Sequence, residues 1–209
     1  MWGDGIVKRR AVASLGATFV LLALMQGEAV ASFQGFPRLL KQQIDRLRLS
    51  EPTLAPMAHT RFCLQYPADC RVRRTIFRGG AVELTPARWE DLKAVNLQVN
   101  RAIRPQVNTA GVAAERWLIS PPMGDCNDYA VTKRHELIQR GWPARALLLA
   151  EVGLPSGDGH LVLVIRTRTG DLIADNLTPH IKPWSATRYR FVRLQSPRNP
   201  LFWSTVATN

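Results

Sequence analysis

The chain changes its pattern at Gly141-Trp142-Pro143, and that change limits what it can fold into. Upstream, apolar residues recur at helical spacing; downstream they gather in short runs separated by turns. Thr85-Pro86 is a helix start, with threonine as N-cap and proline at the first helical position, and Leu92, Val95, Val99 and Ile103 carry an apolar stripe toward Pro105. A second helix is expected from Cys126 or Asn127 to Gly141, with Ala130, Val131, Leu137 and Ile138 on its buried face. Strands are then expected at Ala144 to Val152, His160 to Ile165, Gly170 to Asn176 and Tyr189 to Gln195. Helices first and antiparallel strands second is the α+β order, with the helices packed against one face of the sheet. Leu39, Leu40, Ile44 and Leu47 add a short amphipathic helix ahead of Pro52 and Pro56.

The first residues fix where such a domain works. Lys8-Arg9-Arg10, an uncharged apolar stretch from Ala11 to Met25, and Ala29-Val30-Ala31 follow the order of a secretory signal with an A-x-A cleavage site. At roughly 15 residues the stretch is short of the ~20 that span a bilayer. Residues 1–31 therefore read as a signal peptide, 32–60 as an N-terminal segment with the short helix, and 61–209 as the functional domain. Of the 209 residues, 28 are Lys or Arg and 16 are Asp or Glu, for a net charge of +12. Removing the leader takes away three basic and two acidic residues, so the exported part still carries +11. A periplasmic or secreted location excludes nucleic acid as the partner and favours a surface partner, either an acidic envelope protein or the membrane surface. The run Arg71, Arg73, Arg74 and Arg78 reads first as a solvated face.

An oxidising compartment divides the three cysteines. Cys63 and Cys70 bracket a short segment containing Pro67, and we pair them as a disulfide. Cys126 is left as a free thiol at the start of the second helix, where unpaired backbone N–H groups and the helix dipole favour thiolate and could hold an oxyanion. A cysteine nucleophile needs a histidine base and a group to orient it. His59, His135 and His180 read as structural or solvent-facing, whereas His160 opens a strand directly after Ser156-Gly157-Asp158-Gly159. A four-residue loop at Arg166 to Thr169 would set His160 opposite Asp175; a two-residue turn at Thr169-Gly170 would set Asp175 opposite Val164. Spacing leaves both registers open. Trp117 reads as core or as a wall of the substrate cleft, and Trp142, Trp184 and Trp203 as core or rim aromatics.

From about Arg61 to Val206 the chain resembles the bacterial transglutaminase-like cysteine proteinases, exported members of the papain-like and transglutaminase-like superfamily. The resemblance rests on Phe62-Cys63 with Pro67 and Cys70, on Gly124-Asp125-Cys126-Asn127-Asp128-Tyr129-Ala130 with Lys133 following, on Gly141-Trp142-Pro143, on Gly159-His160-Leu161-Val162-Leu163 and on Asp175-Asn176-Leu177. It implies a papain/transglutaminase-like fold and a catalytic triad of Cys126, His160 and Asp175. Characterised relatives clip surface adhesins and bind calcium through acidic residues beside the nucleophile. Asp125 and Asp128 are therefore the candidate calcium ligands here, but Asn127 stands where those relatives carry an acid. Calcium favours charged oxygens, so the ion is expected to be weakly bound or dispensable, and no cofactor is expected to be required.

The leading expectation is a cysteine peptidase that hydrolyses amide bonds of a protein or peptide substrate. The alternatives are acyl transfer by the same triad, as in a transglutaminase or amidase, and a non-catalytic envelope-binding module that keeps the fold.

Overall fold

The computed structural model describes residues 46–71, 81–109 and 111–207. The leader, the arginines at 73, 74 and 78, and the early helix apart from Leu47 lie outside them. Three helices are described: α1 (Met57–Gln65), α2 (Pro86–Ala102) and α3 (Cys126–Gln139). The strands are β1 (Leu49–Thr53), β2 (Arg104–Pro105), β3 (Met123–Gly124), β4 (Leu147–Gly153), β5 (Gly159–Thr167), β6 (Gly170–Ala174), β7 (Lys182–Pro183), β8 (Arg190–Gln195) and β9 (Trp203–Val206). Seven of them form one sheet in the order β1-β9-β8-β4-β5-β6-β7, all paired antiparallel, while β2 and β3 make a short parallel pair. This is the expected α+β arrangement. Its sheet begins ahead of Arg61, because β1 pairs with β9 and α1 runs across residue 60.

The helices start and stop where local chemistry dictates. Thr85 caps α2 by accepting the Arg88 N–H at 3.3 Å, with Pro86 at its first position. At the end of α3, Gly141 adopts φ +81°, a left-handed conformation that a side chain would strain, and the Trp142 N–H turns back to the Leu137 carbonyl. Helix α3 is buried along nearly its whole length. It lies on the sheet face lined by Leu147, Leu149, Leu161, Leu163 and Ile165, while Leu148, Ala150, Val162, Val164, Ile173 and Leu194 fill a second core with Leu47. The alternation along β4 and β5 thus buries both faces of the sheet.

The β5–β6 hairpin follows neither register left open by the sequence. Thr167 pairs with Gly170 and Arg166 with Asp171, so the turn is Arg168-Thr169. Arg166 stays in the ladder because its guanidinium bonds both oxygens of the fully buried Asp171 across the strands, at 3.2 and 3.0 Å. Gly170 closes the turn at φ +139°. Since Leu163 pairs with Ala174, one further step sets Asp175 beside Val162 and diagonal to His160. Diagonal neighbours lie within reach of long side chains.

Candidate active site

Cys126 opens α3, and Asp125 before it forms a capping box with Asp128. The Asp125 carboxylate accepts the Asn127 N–H at 2.9 Å, and Asp128 returns by accepting the Asp125 N–H at 3.1 Å. Neither of these two bonds uses the Cys126 N–H. The sulfur lies on the floor of a cleft of about 770 Å³, whose walls include Glu115, Glu151, His160, Leu177 and Arg190. Strand β5 supplies the opposite side: the Leu161 backbone N–H donates to the sulfur, and His160 precedes it.

His160 and Asp175 are joined by a 2.8 Å bond between the imidazole Nε2 and Oδ1, both side chains being buried. The carboxylate also accepts the Leu177 N–H at 3.1 Å and the Tyr189 hydroxyl. Burial alone would raise Asp175, but the His160 bond and charge, the Tyr189 hydroxyl and the Leu177 N–H outweigh it and hold the carboxyl below its usual range. The same contact, added to burial, pushes the Tyr189 phenol upward, and its ring meets His160 edge-on at 5.9 Å. With Nε2 bonded to Asp175, Nδ1 is the ring nitrogen that this bond leaves unused.

Tyr189 has no role in the sequence reading. Its position just ahead of β8 carries no local signal, since β8 pairs with β4 and β9 and only the tertiary fold brings the hydroxyl to Asp175. Of the other histidines, His59 is buried against Trp203 and Phe62, and burial followed by the Arg134 charge pulls it down to about 4. His135 contacts Asp69 at 3.0 Å, while His180 sits in an exposed turn with its N–H on Thr178. None of the three lines the cleft. The pair Cys63 and Cys70 is a disulfide and Cys126 is free. Trp117 belongs to the core, and its indole N–H donates to Glu115 at 3.3 Å, so it shapes the cleft wall through that carboxylate.

One expectation is corrected. The helix start does not lower the Cys126 thiol: burial, then the Asp125, Glu115 and Asp175 carboxylates, push it up to about 12 against the pull of the Leu161 N–H. A helix terminus contributes on the order of 0.3–1 kcal/mol to a nearby charge, too little against desolvation and three acids.

The candidate calcium ligands are largely occupied within the chain. Asp128 gives one oxygen to the Leu118 N–H at 2.7 Å and the other to Asp125, and burial raises its carboxyl to about 6. Asn127 donates its side-chain amide to the Glu115 carboxylate. Among the described residues, neither Asp125 nor Asp128 joins two further His, Cys, Asp or Glu ligands in a cluster tight enough for a metal. With both Asp128 oxygens engaged, a calcium ion here would rely on Asp125 and backbone oxygens, a weaker set than one rich in carboxylates.

A helix-start cysteine facing a strand-borne histidine over an antiparallel sheet is the arrangement of the papain/transglutaminase-like fold. Residues 49–209 match the sequence model of the bacterial transglutaminase-like cysteine proteinases, and the chain belongs to that family of cysteine peptidases. Solved structures of similar fold include Legionella pneumophila LapG, 24% identical over 58% of this chain and 69% of that one, with a TM-score of 0.48. Its calcium-bound form is 22% identical over 61% and 75% of the two chains, with a TM-score of 0.50. A comparison with curated proteins finds no match.

Proposed function

We propose that this chain hydrolyses an amide bond of an exported protein or peptide substrate, with Cys126 as nucleophile, His160 as base and acid, and Asp175 as the group that orients the ring. The 2.8 Å bond from His160 to Asp175 on the wall of the cleft that holds the thiol carries this reading. Because the resting thiol is neutral, the proton moves to His160 Nδ1 as sulfur attacks the carbonyl carbon. The oxyanion that forms accepts the Cys126 N–H. Collapse breaks the C–N bond, His160 returns the proton to the leaving amine, and a thioester remains. Water then attacks the thioester, gives its proton to His160, and releases a carboxylic acid while the thiol is restored. The leader motif and the net charge support a periplasmic or secreted setting and an envelope or surface protein as substrate, with no role for nucleic acid.

The test compares envelope fragments from cells carrying the native protein and Cys126→Ala. Fragments found only with the native protein, each ending in a free carboxylate, are expected; no difference overturns the proposal. New carboxamide or cross-linked ends would instead establish acyl transfer, and a folded protein whose thiol is inert would leave the binding module. His160→Ala is expected to lower cleavage at least about a thousandfold. Chelator is expected to leave thermal stability and cleavage unchanged; activity lost in chelator and restored by micromolar calcium would show that Asp125 and backbone oxygens suffice for the ion.

A further inference from the structure

Among the described residues, every charged side chain that lines the cleft but one already holds a partner within the chain. Glu115 accepts the Trp117 indole and the Asn127 amide, Asp125 the Asn127 backbone N–H, and Asp158 the Ser156 hydroxyl at 2.8 Å. Glu151 is held by Arg193 at 2.6 Å, and Arg193 also donates to the Leu54 carbonyl at 2.7 Å. His160 is bonded to Asp175. Arg190 is the exception: it is exposed, and among the described residues its guanidinium makes no hydrogen bond or ion pair.

The strand register fixes where this cation stands. Arg190 on β8 pairs with Gly153 on β4, which pairs on its other side with Gly159 on β5, the residue before His160. A Cβ on Gly153 would lie 3.2 Å from a terminal guanidinium nitrogen and 3.5 Å from Nε, so the flat group lies over the glycine, toward β5. A Cβ on Gly159 would meet nothing within 4 Å, which leaves the floor between them open. Neighbouring strands are about 4.8 Å apart and an extended peptide advances about 3.3 Å per residue, so a chain lying from His160 toward Arg190 reaches the guanidinium within about three residues.

We propose that Arg190 is a specificity-determining residue: its guanidinium takes a carboxylate of the substrate within about three residues of the scissile bond. The proposal rests on the peptidase reading above. A guanidinium offers parallel N–H donors that match the two oxygens of a carboxylate, and a few placed polar groups of this kind give a cleft its specificity. Asp125 and Glu115, the latter bonded to Asn127, repel a carboxylate placed next to Cys126, so a single anion fixes which bond of the substrate meets the sulfur. Two sources supply that group, the side chain of an internal Asp or Glu and the α-carboxylate of a chain end, and the test separates them.

The test presents the native protein, Arg190→Gln and Arg190→Glu with a degenerate synthetic peptide library, made with free and with amidated C-termini, and mass spectrometry aligns the products on the cut bond. The native protein is expected to favour a carboxylate over its amide about tenfold at one position. Arg190→Gln is expected to lose that preference, and Arg190→Glu to turn it toward Lys or Arg. Each preference is a ratio within one protein, so a general loss of activity does not imitate it. A preference that survives amidation identifies an internal Asp or Glu as the ligand, and one that vanishes identifies the chain end. No preference in the native protein, or the same preference in Arg190→Gln, would overturn the proposal. Binding of the same library to immobilised Cys126→Ala, with and without Arg190→Gln, keeps the two readings apart. If the native protein cuts no peptide, the peptidase reading fails, and acidic peptides enriched only where Arg190 is present still establish the anion subsite. Equal enrichment with and without Arg190 would overturn it.

Discussion

Lys133 and Arg134 are consecutive residues of α3, each 1% exposed, and their charges meet opposite surroundings. Arg134 donates from Nε to the Leu147 carbonyl at 3.0 Å and from a terminal nitrogen to the Asp69 carbonyl at 2.8 Å. Asp69 lies between the disulfide cysteines, and its carboxylate also takes His135. Arg134 thus ties α3 to the first residue of β4 and to the disulfide loop. Among the described residues Lys133 Nζ has no hydrogen-bond partner, and Asp175 is the charge that acts on it. A buried cation held by hydrogen bonds is part of the architecture; one without a protein partner carries a desolvation cost of its own.

Arg134→Met should give the largest effect, a loss of about 3–5 kcal/mol in urea unfolding, because it strands the Asp69 acceptors inside the fold. A smaller loss than that of an ordinary surface substitution would break the comparison. Lys133→Met should move stability the other way. Folding lowers this group from 10.5 to about 7, so below pH 7 both states are charged and the folded state bears the full desolvation cost. Between pH 7 and 10.5 the unfolded chain binds one more proton, and stability rises with pH. The variant should therefore melt a few degrees higher than the native protein at pH 6, with the gap closing toward pH 10. A lower melting point at pH 6 would make Lys133 a structural residue like its neighbour.

Tyr189→Phe sharpens the same contrast from the other side of Asp175. Loss of the hydroxyl bond should cost about 1 kcal/mol and raise the carboxyl, shifting the acidic limb of Cys126 alkylation to higher pH. An unmoved limb would show that His160 and Leu177 suffice. Thr85→Ala, at the neutral cap of α2, should cost about 1 kcal/mol in thermal unfolding and leave the alkylation profile in place.

The elements fixed by local chemistry were readable in the sequence: the Thr85-Pro86 start, the Gly141 stop, and the four runs from Leu147 to Gln195. Strands β1 and β9 were not, since Leu49–Thr53 carries Pro52 and becomes a strand only by pairing with a segment 150 residues away. Helix α1 escaped for a related reason, its short buried set of Ala58, His59 and Phe62 being completed by Trp117 and Trp203 from elsewhere. The residues proposed as the triad stood out by position, but the hairpin register did not, because Arg166 looks like a turn residue until Asp171 lies across from it. The lowered thiol was an inference from one helix end. Burial reverses it, helped by the adjacent Asp125 and by Glu115 and Asp175, which tertiary structure brings in.

Gly124 has a consequence for what mutation can explore around this site. A methyl group there would lie 2.2 Å from the Asp128 Oδ2 atom and 2.8 Å from its Cβ. Asp128 has no space to retreat without releasing the Leu118 N–H, and with it the stretch that presents Glu115 to the cleft. In a saturation library, position 124 should therefore admit one letter of the alphabet. The glycines at 111 and 157, with open space where a side chain would go, should lose only what their positive φ angles demand. The approach to Cys126 is closed to gradual change: a new side chain beside it has to arrive together with a new cap for α3.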